Sequence, residues 1–204
     1  MIAKTARGTF SFRDEIKGIH GIVEVTVRDR DGKVIYSEKQ KNVILEAGKT
    51  ELIDILRNNA ARETSGTVRS LCRFAIGDGG ADAASLLTPK ALDKTRTSLY
   101  REVWRQDITS DSKPVDNAIE FTIDINSDSL NASYFNSANG GEYINEASII
   151  ASIPGTYPDG NAVATPTSVG PDDVNITHKT LKSFPFTPGL GIGATFKWTI
   201  YIIL

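Results

Sequence analysis

The sequence is short of several things, and each shortage removes a class of function. It carries a single cysteine, Cys72, in 204 residues. No internal disulfide can form, so this is not a small secreted fold stapled by Cys pairs. Cys72 lies in the apolar run "SLCRFAIG", the setting of a buried, inert thiol. Only two histidines are present, His20 and His178; with one cysteine they barely furnish the nitrogen and sulfur ligands of a zinc site. Charge of either sign is also scarce in excess: Lys and Arg number 23 against 25 Asp and Glu, a net charge of −2, which lacks the basic footprint of a nucleic-acid binder. No run approaches the roughly 18 apolar residues of a membrane span, and "MIAKTARGTF" has no apolar stretch of a secretory signal. The expectation is a soluble protein made in a reducing cytoplasm, with no nucleic acid and no membrane among its partners.

What is present is ordinary globular composition, 40% hydrophobic and 24% charged, in a chain long enough to bury a core without metals or disulfides. Residues 1–20 are polar and mixed, with Phe10 and Phe12 the large apolar pair, and read as an extended arm or an edge strand. "GIVEVTVRDRDGKVIYSEKQ" reads as a hairpin: Val23, Val25 and Val27 alternate with Glu24, Thr26 and Arg28, and Asp31-Gly32 is a turn signal. "NVILEAGKTELIDILRNNAAR" changes period, with Leu52, Ile55, Leu56 and Ala60 at helical spacing and Glu51 placed in the first turn. This predicts one helix over about 47–60. Strand patterns then dominate: "VRSLCRFAIGDGG" ending in a glycine turn, "TSLYREVWRQDI", "NAIEFTIDIN" with Ile119, Phe121, Ile123 and Ile125 on one face, "INEASIIASI", and "GATFKWTIYIIL" with Phe196, Trp198, Ile200 and Ile202 on one face. Residues 154–175 hold four of the eight prolines and read as a long exposed loop. The fold class expected is mainly β, an antiparallel β-sandwich over 21–204 preceded by the arm 1–20, with the helix covering a sheet edge or one end.

Three motifs imitate ligand sites. Gly48-Lys49-Thr50 could end a phosphate-binding loop, but the glycine that opens such a loop is Val43 here, which resists positive φ, and the α/β alternation of the nucleotide fold is missing. Gly48 is expected to relax the chain between strand and helix. Asp124, Asn126 and Asp128 match the start of a calcium loop, but its glycine is Ser129 and its closing glutamate Phe135; turn residues after a strand explain them. Gly189, Gly191 and Gly193 lead into a strand rather than the helix of a dinucleotide site. The carboxylates Asp78 and Asp82, and Asp172 and Asp173, are expected as solvated loop charges. No nucleophile elbow or catalytic cysteine context is present, so the chain reads as no enzyme, with no cofactor and no metal.

Several stretches in this order resemble small β-sandwich structural proteins of tailed bacteriophages: tail, baseplate, collar or fibre-associated proteins. The likeness is carried by the hairpin and helix of residues 21–56, by "RFAIGDGGADAAS", by Leu99, Glu102 and Arg105 in "TSLYREVWRQDI", by Glu146 in "YINEASII", and by the terminal "GATFKWTIYIIL". The resemblance implies a multi-copy virion subunit, assembled in the host bacterial cytoplasm. Its partners would be copies of itself in a ring or tube and other virion proteins. Assembly by sheet edges and exchanged arms makes Phe10 and Phe12 in the arm, and Tyr157 and Pro158 in the long loop, the expected interface residues. The alternative is a receptor- or carbohydrate-binding sandwich associated with a tail fibre, offering Tyr134, Phe135, Tyr143 and Tyr157 as aromatic platforms.

Overall fold

A computed structural model describes residues 18–57, 69–108, 110–139, 141–152, 160–161 and 173–203. In chain order its elements are β1 (Gly18–Arg28), β2 (Val34–Ile44), α1 (Glu46–Arg57), β3 (Ser70–Gly77), β4 (Ala81–Asp82), β5 (Ser85–Pro89), β6 (Glu102–Asp107), β7 (Ser110–Ser112) and β8 (Ala118–Asn126), then three 3₁₀ turns at Ser127–Ser129, Ala132–Tyr134 and Ser137–Asn139, then β9 (Tyr143–Ser152), β10 (Gly160–Asn161), β11 (Val174–Asn175), β12 (Thr177–Pro185) and β13 (Gly193–Ile203).

The protein is mainly β and antiparallel, with one α-helix among the described residues. Eleven strands form one continuous sheet in the order β10-β6-β3-β9-β12-β2-β1-β13-β8-β7, with β11 also on β9. The sheet is pinched in the middle. β12 meets β2 through only two residue pairs, Thr177 with Ile44 and His178 with Val43, and then turns to pair with β9 as far as Pro185. About this pinch the sheet folds over into two facing layers, β2-β1-β13-β8-β7 and β10-β6-β3-β9-β12. The expected sandwich is therefore present, and its two layers share a corner.

Alternation builds the core between them. On β1, Val23, Val25 and Val27 are buried while Glu24 and Thr26 are not. On β8 and β13, Phe121, Ile123, Ile125, Phe196, Trp198 and Ile200 point inward. Phe74 of the opposite layer meets them, its ring centroid 4.8 Å from that of Phe196 and 6.1 Å from that of Trp198. Burying each such side chain contributes about 1.5–3 kcal/mol. The outward face carries polar ladders, with Lys39 3.0 Å from Glu24 and Thr195 donating to Asp124 at 2.6 Å. The β1–β2 turn is built as its sequence demands: Gly32 adopts φ +81°, and Asp29 Oδ1 accepts from Asp31 and Lys33 N–H at 3.1 and 2.9 Å.

Several expectations are corrected. The helix begins at Glu46, which is the acid of its first turn; Glu51 lies further in, buried and 3.3 Å from Arg69. Gly48 is inside the helix, not a relaxed joint before it. A Cβ there would stand 2.6 Å from Ile176 Cα, so the missing side chain lets α1 pack directly on the backbone between β11 and β12. Strand β1 starts at Gly18, so residues 18–20 belong to the sheet; residues 1–17 lie outside the described residues. Within 154–175, Gly160–Asn161 pairs with β6 and Val174–Asn175 with β9; residues 154–159 and 162–172 lie outside the described residues.

Candidate functional site

The sharpest concentration of polar chemistry lies where β3, β9 and the segment before β6 meet. β3 ends in Gly77-Asp78-Gly79-Gly80. A Cβ on Gly79 would stand 2.6 Å from Arg101 N, and one on Gly77 2.7 Å from Glu146 Oε1, so side chains are excluded by contact with backbone and with one carboxylate. That carboxylate, on β9, is fully buried. Its Oε1 accepts from Gly79 N–H at 3.1 Å and Arg101 N–H at 2.8 Å. Its Oε2 accepts from Tyr100 N–H at 2.8 Å and lies 3.0 Å from His178 Nε2. A buried ion survives only when its lone pairs are occupied in this way.

The neighbouring residues extend the same fastening. Asn145 Oδ1 accepts from Gly80 N–H at 2.6 Å, and its amide donates to Asp78 O and Ser183 Oγ, each at 3.2 Å. Asp78 takes Arg101 Nη1 on both oxygens at 2.6 Å and Asn136 N–H at 2.6 Å, while Arg101 Nη2 donates to Tyr134 O at 2.5 Å. Burial pushes the Asp78 carboxyl above the usual range, against the pull of Asn136 and Arg101. Over this cluster lies Tyr100, its ring 5.6 Å from His178 and covered by the guanidinium of Arg96 at 3.7 Å and the ammonium of Lys90 at 4.2 Å. Lys90 also donates to Gly79 O at 2.6 Å.

A second cluster sits on the outer face of β6. Arg105 reaches both oxygens of Glu102, at 2.5 and 2.8 Å, and pairs with Asp173. Asp173 also accepts from Ser152 Oγ at 2.5 Å. The register of β6 slips between Ile76 and Gly77 of its neighbour, and this bulge brings Glu102 to the same side as Arg105. Burial raises the Glu102 carboxyl, with Arg105 opposing. Burial alone would lower the Arg105 guanidinium, but Glu102 and Asp173 overcome it and hold it above its ordinary value. Leu99, the third motif residue, is buried with Ala75 and Ile150 in a small cluster on this face. Asp78 and Asp173 are therefore buried ion-pair partners rather than solvated charges, while Asp82 is exposed.

The imitated ligand sites have structural occupants. Leu45 N–H donates to Ile176 O and Lys49 N–H to Leu45 O, both at 2.9 Å, so the backbone around Gly48 is committed to the fold. Asn126 caps the first 3₁₀ turn, accepting from Asp128 N–H at 2.9 Å, and Asp128 accepts from Gly191 N–H at 2.8 Å. Gly189 and Gly191 adopt φ +81° and +63° in the turn before β13. Cys72 is half-buried, its thiol raised by burial and directed at Ser152 O at 3.4 Å. His20 stacks on Tyr201 at 4.8 Å on the outer face, and the buried His178 pairs with Val43 on the other side of β2.

An open pocket of about 430 Å³ adjoins the first cluster, bordered by Asp78, Asp82, Ser85, Leu86, Lys90 and Asn136. Its principal charges are committed: Asp78 to Arg101, Lys90 to Gly79 O and Tyr100. Among the described residues no group of His, Cys, Asp and Glu could hold a metal ion. As sugar platforms, Phe135 is buried and Tyr134 and Tyr143 are half-buried. Phe10, Phe12, Tyr157 and Pro158 lie outside the described residues. The resemblance motifs had marked Glu102, Arg105, Glu146 and the glycine turn; His178, Asn145 and Asp173 as their partners had no sequence signal, being remote in the chain. Comparison of the chain with protein-family models, with curated proteins and with solved structures finds no match in any of the three.

Proposed function

We propose that the chain is a bacteriophage virion structural protein, a multi-copy subunit of a tail, baseplate or collar assembly that acts through subunit–subunit contacts and an exchanged N-terminal arm. One observation carries this reading. The residues that bear the resemblance to phage sandwich proteins, Glu146, Glu102, Arg105 and the Gly77–Gly80 turn, are spent on fastening loops to a two-layer body. A body fastened in this way leaves its sheet edges and its N-terminal segment for contacts with neighbouring copies, the kind of contact from which rings and tubes are built. Electron microscopy of the purified protein tests the reading: rings, tubes or density on tailed particles are expected. A chain that stays monomeric at every concentration and attaches to no particle overturns it.

A further inference from the structure

Resting on that assembly reading, we infer that the free edge of β2 from Val34 to Lys41 receives residues 1–17 of a second copy as an added strand. β2 is paired on one side by β1 along its length. On the other side β12 bonds only to Val43 and Ile44 and then leaves to join β9. Among the described residues no strand pairs β2 between Val34 and Lys41 on that side, so the backbone groups of that edge have no strand partner there. Unpaired edges of this length template strand addition.

The edge has a chemistry. By register, Tyr36, Glu38 and Gln40 share the inward face with Val27, Val25 and Val23. They form a polar string: Tyr36 OH and Gln40 both donate to Glu38, and Lys179 across the gap donates to Gln40. Nearer the β1–β2 turn, Tyr36 meets Phe184 of β12, ring centroids 4.8 Å apart. Beside them Val34 and Ile35 are 43% and 42% exposed, unusual for apolar residues of a strand. A strand with aromatic residues at alternate positions would extend the Tyr36–Phe184 ring pair inward.

The sequence ahead of Gly18 supplies such a strand. Phe10 and Phe12 alternate with Ser11 and Arg13, and Asp14-Glu15 follow, opposite in sign to Lys39 and Lys41. Direction disfavours the chain's own arm. Gly18 pairs with Ile203 beyond the end of β2, and β1 runs from there towards the β1–β2 turn, so the chain's own arm would have to reverse past the β2–β12 pairs to reach Val34–Lys41, whereas a second copy meets that edge directly. Extended at about 3.3 Å per residue, 17 residues reach some 55 Å, enough for a neighbour.

Hydrogen exchange on the full-length protein tests this, read at Ile35–Lys41 across a dilution series alongside sedimentation. Protection of these amides is expected to rise at least tenfold on self-association, and F10S/F12S is expected to lose both protection and association while keeping its core amides protected. Association with β2 exchanging as in the monomer overturns the β2 assignment and leaves the assembly reading standing. Concentration-independent protection of β2, or unchanged association of F10S/F12S, also overturns it. A protein that never associates, alone or with particles, overturns both.

Discussion

Glu146 Oε2 and His178 Nε2 stand 3.0 Å apart in the middle of the second layer, both side chains fully buried. The pair joins β9 to β12 within that layer, and the same carboxylate holds Gly79, Tyr100 and Arg101 by their backbone N–H groups. One side chain thereby fixes four segments that are distant in sequence.

Replacing that carboxylate by an amide turns one acceptor oxygen into a donor that faces N–H groups. Glu146→Gln is expected to cost about 2–4 kcal/mol of folding free energy, because buried donors lose their acceptor. Urea unfolding at neutral pH measures it; a cost within about 0.5 kcal/mol would show that the network is not what secures this end of the sandwich.

Gly48 and Lys49 separate the packing role from the phosphate role. Gly48→Ala places a methyl group against Ile176 backbone and is expected to destabilise by about 1–3 kcal/mol. Lys49 is exposed, so Lys49→Ala is expected to stay within about 0.5 kcal/mol of the parent. Calorimetry with ATP is expected to give no binding heat for the parent protein or either variant; saturable heat abolished in Lys49→Ala would restore a nucleotide site.

The Glu102 carboxyl gives stability a pH dependence whose sign is set by burial. Its folded value lies above the ordinary 4.5, so the folded state holds the proton longer than the unfolded chain. That contribution is fully present below 4.5 and is lost as pH rises through the folded value. Unfolding free energy measured from pH 4 to pH 7 is expected to fall less steeply in Glu102→Gln than in the parent. Parallel profiles would mean that Glu102 titrates alike in both states.

Phe74 spans the two layers, touching Phe196 and Trp198. Phe74→Ala is expected to lose about 3–5 kcal/mol, the cost of a cavity where the surrounding sheets cannot close. Thermal unfolding with an unchanged far-ultraviolet spectrum at low temperature would distinguish this loss from misfolding.

How far the fold could be read from the chain varied by element. The β1–β2 turn was legible because Asp31-Gly32 supplies its own geometry, and β8 and β13 because inward and outward residues alternate along each strand. β2 misled. Its inward positions carry Tyr36, Glu38 and Gln40, so the alternation marks no core face; those positions line the gap at the pinch, which no local pattern encodes. The helix was found but placed one residue late, since Glu46 and the packing of Gly48 on Ile176 decide its start. Asp78 and Asp173 looked like solvated charges because their partners, Arg101 and Arg105, come from other segments. The glycine turn was legible as the end of a strand, while Glu146 stood out only as part of a resemblance, without a physical reason attached.

Local chemistry alone determined the mainly β character, the hairpin, the helix and the apolar faces that needed covering, because side-chain period and turn conformation depend on adjacent residues. Only the tertiary structure decided that the two layers form one sheet folded at β12, that β12 meets β2 only at Val43 and Ile44, and that Glu146 gathers Gly79, Tyr100, Arg101 and His178. Those outcomes depend on which distant strands pair, and that choice is set by burial and hydrogen-bond satisfaction over the whole molecule rather than within any one segment.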